Sequence, residues 1–266
     1  MIDLDLRSCE LCPRLCRVNR EEKPGACGCS ARLLAARAAL HFGEEPCISG
    51  TEGSGTVFFS GCNLHCVFCQ NHKISRERYG KALTAVRLAD IFRELEAKGA
   101  NNINLVTPTP WVTEIIKALK LYRPQVPVLY NTSGYERVEV LRELEGLIDV
   151  WLPDYKYADS ALAARFSGAA DYPAVARAAL QEMYRQSGNL TLNKEGKAVR
   201  GVMIRHLVLP LHLKNSFAVL DDIAALFGTE QYVSLMFQYT PFIKTRFPEL
   251  NRSLTGRERA RAEAHF

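Results

Sequence analysis

Thr56-Val57-Phe58-Phe59-Ser60-Gly61-Cys62-Asn63-Leu64-His65-Cys66-Val67-Phe68-Cys69-Gln70-Asn71 joins a strand, a turn and three closely spaced thiols. Val57, Phe58 and Phe59 form a short apolar, β-favouring run bounded by Gly53, Gly55 and Gly61, the pattern of a buried parallel strand. The cysteines follow at its C-terminal end. Three thiolates can hold three irons of a four-iron cube and leave the fourth without a protein ligand, whereas an electron-transfer cluster normally has four cysteine ligands. An open iron points to chemistry at the cluster.

The spacing, three residues and then two, with Phe68 just before the last cysteine, resembles the signature of the radical SAM superfamily. That resemblance implies a [4Fe-4S] cluster on Cys62, Cys66 and Cys69. S-adenosylmethionine (SAM) would chelate the open iron through its amino and carboxylate groups, and reductive cleavage would leave a 5'-deoxyadenosyl radical. The competing reading is a zinc knuckle with His65 or His72 as fourth ligand. Placement directly after a strand favours the cluster.

A chain of 266 residues, 47% hydrophobic, can bury a sizeable core and is most simply one domain with appendages. No apolar run reaches membrane-spanning length, and the acidic start Met1-Ile2-Asp3-Leu4-Asp5-Leu6 is unlike a signal peptide. The expected location is the cytoplasm, with no membrane partner. Nine cysteines in a reducing compartment point to metal ligation more than to disulfides. The net charge of +5 is mild, and the Arg-rich end (Arg252, Arg257, Arg259, Arg261) alternates with acids and alanines as a solvated helix would, so nucleic-acid binding is not inferred.

The first 30 residues hold a second thiol group. Cys9, Cys12, Cys16 and Cys27 are separated by two, three and ten residues, with Cys29 spare, among Pro13, Pro24, Gly25 and Gly28. Such a stretch has too little apolar content to fold by packing, and four thiolates around zinc, or around a second iron-sulfur cluster, would supply the missing folding energy. From Ala31 to Gly50 the signal is thin. Leu33, Leu34 and Leu40 suggest a packed helix or strand, Glu44 and Glu45 a solvated pair of acids beside Pro46, and Cys47 a small buried hydrophobe.

After the cysteine loop, strands and helices alternate. Apolar residues at 88, 91, 92 and 95 predict a helix over Thr84–Lys98 stopped by Gly99. Strands are predicted at Ile103–Val106, Val126–Tyr130, Ile148–Leu152, Val202–Leu209 and Tyr232–Phe237. Helices are predicted at Trp111–Tyr122, Tyr135–Glu145, within Asp159–Ser187, and at Ser216–Phe227, the last capped at its start, with a polar hairpin or loop over Asn189–Arg200. Six strands with crossover helices specify a parallel α/β fold, an open partial (β/α)6 barrel in which ligand groups gather at the C-terminal strand ends. The cysteines, Thr107-Pro108-Thr109, Asn131-Thr132-Ser133-Gly134, Asp154 with Lys156, Arg205, and Gln238 to Thr240 fall there. Taken singly, Asp154 or Lys156 could equally belong to a surface ion pair. The expected division is a Cys-rich segment over 1–50, the barrel over 51–245 and a basic helix, shortened or truncated, over 246–266.

From Cys9 to Pro241 the chain is similar to uncharacterised radical SAM proteins described as homologues of the pyruvate formate-lyase activating enzyme. The phrases Cys12-Pro13-Arg14, Val18-Asn19-Arg20, Gly55 to Leu64, Asn102 to Thr109, Tyr130 to Tyr135 and Arg205-His206-Leu207-Val208-Leu209-Pro210 carry the similarity. It implies Cys62, Cys66, Cys69 and Lys156 as catalytic residues. It implies Phe68, Asn131, Thr132, Asp154, Lys156 and Arg205 as cofactor-binding, with Asn131 and Thr132 where an Asp-Thr pair lies near SAM and a monovalent cation; Thr107 and Thr109, in a stretch that departs from the family's pattern, are candidate cofactor-binding residues through their hydroxyls. A flavodoxin or ferredoxin would donate the electron, and a glycine of a partner protein or peptide would be the hydrogen donor. Two departures stand out. Val106-Thr107-Pro108-Thr109-Pro110 replaces a Gly-Gly-Glu-like stretch that receives the SAM amino group, and Asn131 replaces an aspartate, which puts the cation in question. The other function classes are a radical SAM peptide or RNA modifier and a non-catalytic iron-sulfur carrier.

Overall fold

The computed structural model describes residues 4–266; Met1, Ile2 and Asp3, on which part of the signal-peptide reading rests, lie outside the described residues. In chain order the elements are β1 (Leu34–His41), α1 (Pro46–Ser49), β2 (Ser54–Phe59), α2 (His72–Ser75), β3 (Lys81–Ala82), α3 (Ala85–Ala97), β4 (Ile103–Val106), α4 (Val112–Leu121), β5 (Val128–Thr132), α5 (Val138–Arg142), β6 (Val150–Pro153), α6 (Ser160–Ser167), α7 (Tyr172–Ser187), β7 (Thr191–Leu192), β8 (Ala198–Val202), β9 (Ile204–Leu207), α8 (Leu213–Phe227), β10 (Val233–Met236) and α9 (Gly256–Glu263).

The fold is mixed α/β, built on an eight-stranded sheet in the order β3-β1-β2-β4-β5-β6-β8-β7. β2, β4, β5, β6 and β8 run parallel. β9 follows β8 after a break at Met203, is bridged to β6 through Asp154 and Arg205, and pairs in parallel with β10. Among the described residues β10 pairs only with β9, so the strands do not close into a ring. β1, from the segment expected ahead of the barrel, lies antiparallel against β2.

Period-two alternation sorts the side chains to the two faces. Val128 and Tyr130 of β5 and Trp151 of β6 join the large core under the helices, while Leu129, Val150 and Leu152 join a smaller cluster with Cys47, Ile48 and Met203 on the opposite face. Helix α3 buries Leu88, Ile91, Phe92 and Leu95, the four positions its period predicts. The Thr84 side chain accepts from Arg87 N and caps its N-terminus, an interaction generally worth about 1 kcal/mol.

Several expectations are corrected. β5 starts two residues later than expected and runs two residues past Tyr130, so that it takes in Asn131 and Thr132. α5 is only Val138–Arg142. α8 begins at Leu213, before Ser216, whose hydroxyl meets His206 Nε2 at 2.9 Å instead of capping the helix. In the C-terminal stretch the helix occupies Gly256–Glu263, with a capping box between Thr255 and Glu258.

Candidate functional site

β2 runs into the cysteine loop through Gly61, whose φ of 86° is left-handed and whose place for a Cβ lies 2.0 Å from Cys29 Sγ. Only glycine fits there. The loop is fastened on all sides by backbone contacts. Arg14 Nε donates to Asn63 O at 2.9 Å, Arg76 donates to Cys66 O at 2.6 Å, and Val67 N donates to Phe166 O at 2.8 Å. Ser167 Oγ donates to Cys66 Sγ at 3.1 Å, and Cys69 Sγ lies 3.4 Å from Ser75 Oγ. Phe68 packs edge-on against Phe166 and Tyr239. His65 is exposed, and His72 is turned to Glu77 at 3.9 Å. Among the described residues no group of three or more Cys, His, Asp or Glu stands in metal-ligand geometry.

Cys62, Cys66 and Cys69 line a cavity of about 720 Å³ at the C-terminal strand ends. The same cavity is lined by Phe68, Thr107, Asn131, Thr132, Asp154, Lys156 and Arg205, so the structure brings together all the expected site residues of the barrel except Thr109. Lys156 Nζ lies 2.5 Å from Asp154 Oδ2, and Arg205 Nε lies 3.4 Å from Asp154 Oδ1. Arg205 also donates to Asn131 Oδ1 at 2.5 Å and to Glu44 Oε2 at 3.0 Å, with Glu45 Oε2 at 3.6 Å. These side chains are mostly buried: Lys156 is 16% exposed, Asp154 19%, Arg205 11% and Glu44 11%. The Asp154–Lys156 pair is therefore no surface ion pair.

Burial opposes the ammonium of Lys156 and the guanidinium of Arg205, but the carboxylates around them, Asp154 foremost, more than offset it and raise both above their ordinary values. Burial likewise opposes the Asp154 carboxylate, yet Lys156 and Arg205 hold it below the usual range. Burial, with Cys66 beside it, pushes the Cys62 thiol up to about 12.

Glu44 and Glu45, expected as a solvated pair, instead reach into this cavity and ion-pair with Arg205. The missed signal is Asn104, a polar residue in the middle of buried β4, whose Nδ2 donates to Glu44 Oε1 at 3.2 Å. Thr109 is buried and donates to Glu136 Oε1 instead of reaching the cavity. Thr132 turns its hydroxyl the same way and meets the cavity otherwise, because on β5 it shares a face with Tyr130 rather than with Asn131. Thr107 does stand at the cavity, with φ of 58°, an uncommon conformation for a β-branched residue. Such strain collects where a site needs backbone groups held in place. Glu136 was not anticipated as a partner; it ties the ends of β4 and β5 together from behind.

The residues fit the expected cofactors. Three thiols stand in one wall of a roomy cavity. The cavity is lined by three cations, Arg37, Lys156 and Arg205, and three carboxylates, Glu44, Glu45 and Asp154, so it offers both signs of charge to SAM, which carries a sulfonium and an ammonium beside a carboxylate. Glu45 Oε2 and Asp154 Oδ1 are buried and meet Arg205 only at ion-pair distances of 3.6 and 3.4 Å, without a hydrogen bond, so each keeps accepting capacity toward the cavity.

The comparisons agree with this geometry. The model of the radical SAM superfamily matches residues 56–179, which run from β2 into α7. An uncharacterized protein of Methanocaldococcus jannaschii is 32% identical over 262 residues, spanning 95% of this chain and 72% of that protein. The cysteine loop, the strand-end cavity and the family match converge, and the chain belongs to the radical SAM superfamily.

Proposed function

We propose that this protein is a radical SAM enzyme that abstracts hydrogen from a peptide, with a glycine of a partner protein as the donor. One observation carries the enzymatic part: Cys62, Cys66 and Cys69 share a cavity with the Asp154–Lys156–Arg205 network. A cluster carrier has no use for a buried ionic network beside its thiols, because burying charges costs several kcal/mol unless they are matched.

When bound, the cluster and SAM supply one-electron cleavage of the sulfonium and a hydrogen-abstracting radical. This chain's residues bind, orient and shield. Cys62, Cys66 and Cys69 hold the cluster. Lys156 offers its ammonium to the SAM carboxylate, Asp154 and Glu45 offer carboxylate oxygens to the cationic part, and Phe68 covers one side. Arg205, fixed by Asn131 and Glu44, stands between Asn131 and Asp154 and supplies the positive charge that the resemblance assigns to a monovalent cation. The electron comes from a flavodoxin- or ferredoxin-class donor in the cytoplasm.

Support for a peptide comes from the open side of the partial barrel. The cavity lies between Arg37 and His41 of β1 and Ser234, Leu235 and Met236 of β10, and β10 has no strand on its outer edge among the described residues. An extended backbone can approach along such an edge. The test is to incubate the reduced enzyme and SAM with deuterated peptide or deuterated small-metabolite pools. Label in 5'-deoxyadenosine from the peptide pool supports the reading; label from metabolites alone makes this a small-molecule enzyme.

A further inference from the structure

The Cys-rich segment ahead of β1 takes no part in that reading. Its regular structure before β1, among the described residues, is one short turn of 3-10 helix at Leu6–Ser8. Leu15 and Arg17, flanking Cys16, have φ of 41° and 51°, a left-handed conformation that costs of order 1–3 kcal/mol for each such residue and persists only where the surroundings impose it. Backbone bonds impose it, Leu15 N donating to Cys12 O and Arg17 N to Cys9 O, each at 3.0 Å, so that the chain is folded back around the thiols. Cys9, Cys12, Cys16 and Cys27 line one cavity of about 10 Å³, room for a single small sphere and not for a four-iron cube.

Arg20 lies against the same cavity and is wholly buried. Its guanidinium donates to Ser30 O at 2.7 and 3.2 Å and to Pro110 O at 2.7 Å, and it lies 3.9 Å from Cys9 Sγ and over the Trp111 ring. None of these partners is a carboxylate. The buried acid of the region, Glu136, is engaged by Thr109 and Thr132. A buried cation without a counter-charge is strongly unfavourable. The anionic groups available beside Arg20 are the sulfurs, and four thiolates on a divalent ion leave a net negative centre.

We propose that Cys9, Cys12, Cys16 and Cys27 bind one divalent ion, zinc by its ligand chemistry, as a tetrathiolate whose double negative charge is offset in part by the buried Arg20. Binding releases the thiol protons to solvent and folds the segment around the ion. Among the described residues the four thiols are not gathered in ligand geometry, any more than Cys62, Cys66 and Cys69 are, so they close in as the ion binds. The site braces the cysteine loop of the barrel. Arg14, between Cys12 and Cys16, holds Asn63 O at 2.9 Å and Leu64 O at 3.5 Å, and Cys29 packs beneath Gly61.

The test uses the full chain with Cys62, Cys66 and Cys69 changed to alanine, purified with zinc and iron both supplied and assayed for metals and sulfide. One zinc per chain is expected, and it should be lost when Cys12→Ser and Cys16→Ser are added. Absence of metal, or about four irons with sulfide, overturns the proposal. If the added changes prevent folding, the unaltered protein is titrated with an organomercurial in the presence of a zinc-sensitive dye; one zinc per chain should be released, and none released overturns the proposal. Arg20→Gln should weaken zinc retention against a chelator by roughly 10–100-fold, the usual effect of removing a partner of the ligands. Unchanged retention overturns the charge offset.

Discussion

Arg205 on β9 donates to Glu44, 3.0 Å away and 161 residues earlier in the chain, so the connection between β1 and α1 supplies an acid to the far side of the cavity. The pair draws a segment outside the matched radical SAM region, 56–179, into its cavity. Arg205 also faces Asp154, Glu45 and Asn131.

Arg205→Ala should leave three buried carboxylates short of a cation, and removal of one partner from a buried pair generally costs about 3–5 kcal/mol. Thermal melts should show the loss, and it should be largely relieved when Glu44→Gln is added. If the guanidinium serves as the built-in cation, SAM binding should be the same in sodium, potassium or choline buffers. A strong dependence on potassium or sodium would contradict that role.

Lys156→Ala should weaken SAM binding by roughly 1.5–3 kcal/mol, the range for a hydrogen bond to a charged group. The cluster should be retained, as read by iron content and the EPR signal of the reduced protein. Unchanged affinity and unchanged cleavage would return Lys156 to a purely structural partner of Asp154.

Glu136 gives a pH signature. Complete burial raises its carboxyl from 4.5 to about 7, against the opposing hydrogen bonds from Thr109 and Thr132. The folded chain thus holds this proton more tightly than the unfolded chain. Its stabilising contribution is full below pH 4.5 and is lost as pH rises through about 7, amounting to roughly 3 kcal/mol. Glu136→Gln keeps an oxygen to accept from both threonines and cannot ionise. Its melting temperature should change less between pH 5 and pH 8, as rough bounds of that window, than that of the unaltered protein. An identical pH dependence in both would show that Glu136 does not titrate there.

The cysteine loop, the strand-helix alternation and the strand ends are legible in the sequence because each is local. Strand β4 at Ile103–Val106 and the buried face of α3 follow from runs and periods of apolar side chains. What escaped depended on partners distant in the chain or on the face a side chain takes. Glu44 and Glu45 beside Pro46 look solvated until Arg205 is placed opposite them. Asn131 and Thr132 read as two cofactor-binding residues at one strand end, but the alternation of β5 sends Asn131 to Arg205 and the Thr132 hydroxyl to Glu136 behind the sheet. Ser216 looks like a helix cap until buried His206 claims it.

The central claim is that Cys62, Cys66 and Cys69 hold a cluster that cleaves SAM in this cavity. It is tested most directly by reconstituting the protein anaerobically with iron and sulfide, reducing it with dithionite in the presence of SAM, and quantifying 5'-deoxyadenosine. Formation of 5'-deoxyadenosine by the unaltered protein, and its loss on changing any one of the three cysteines to alanine, is the predicted result. A protein with a full complement of iron and sulfide that forms none, or a cysteine variant that still forms it, would contradict the claim.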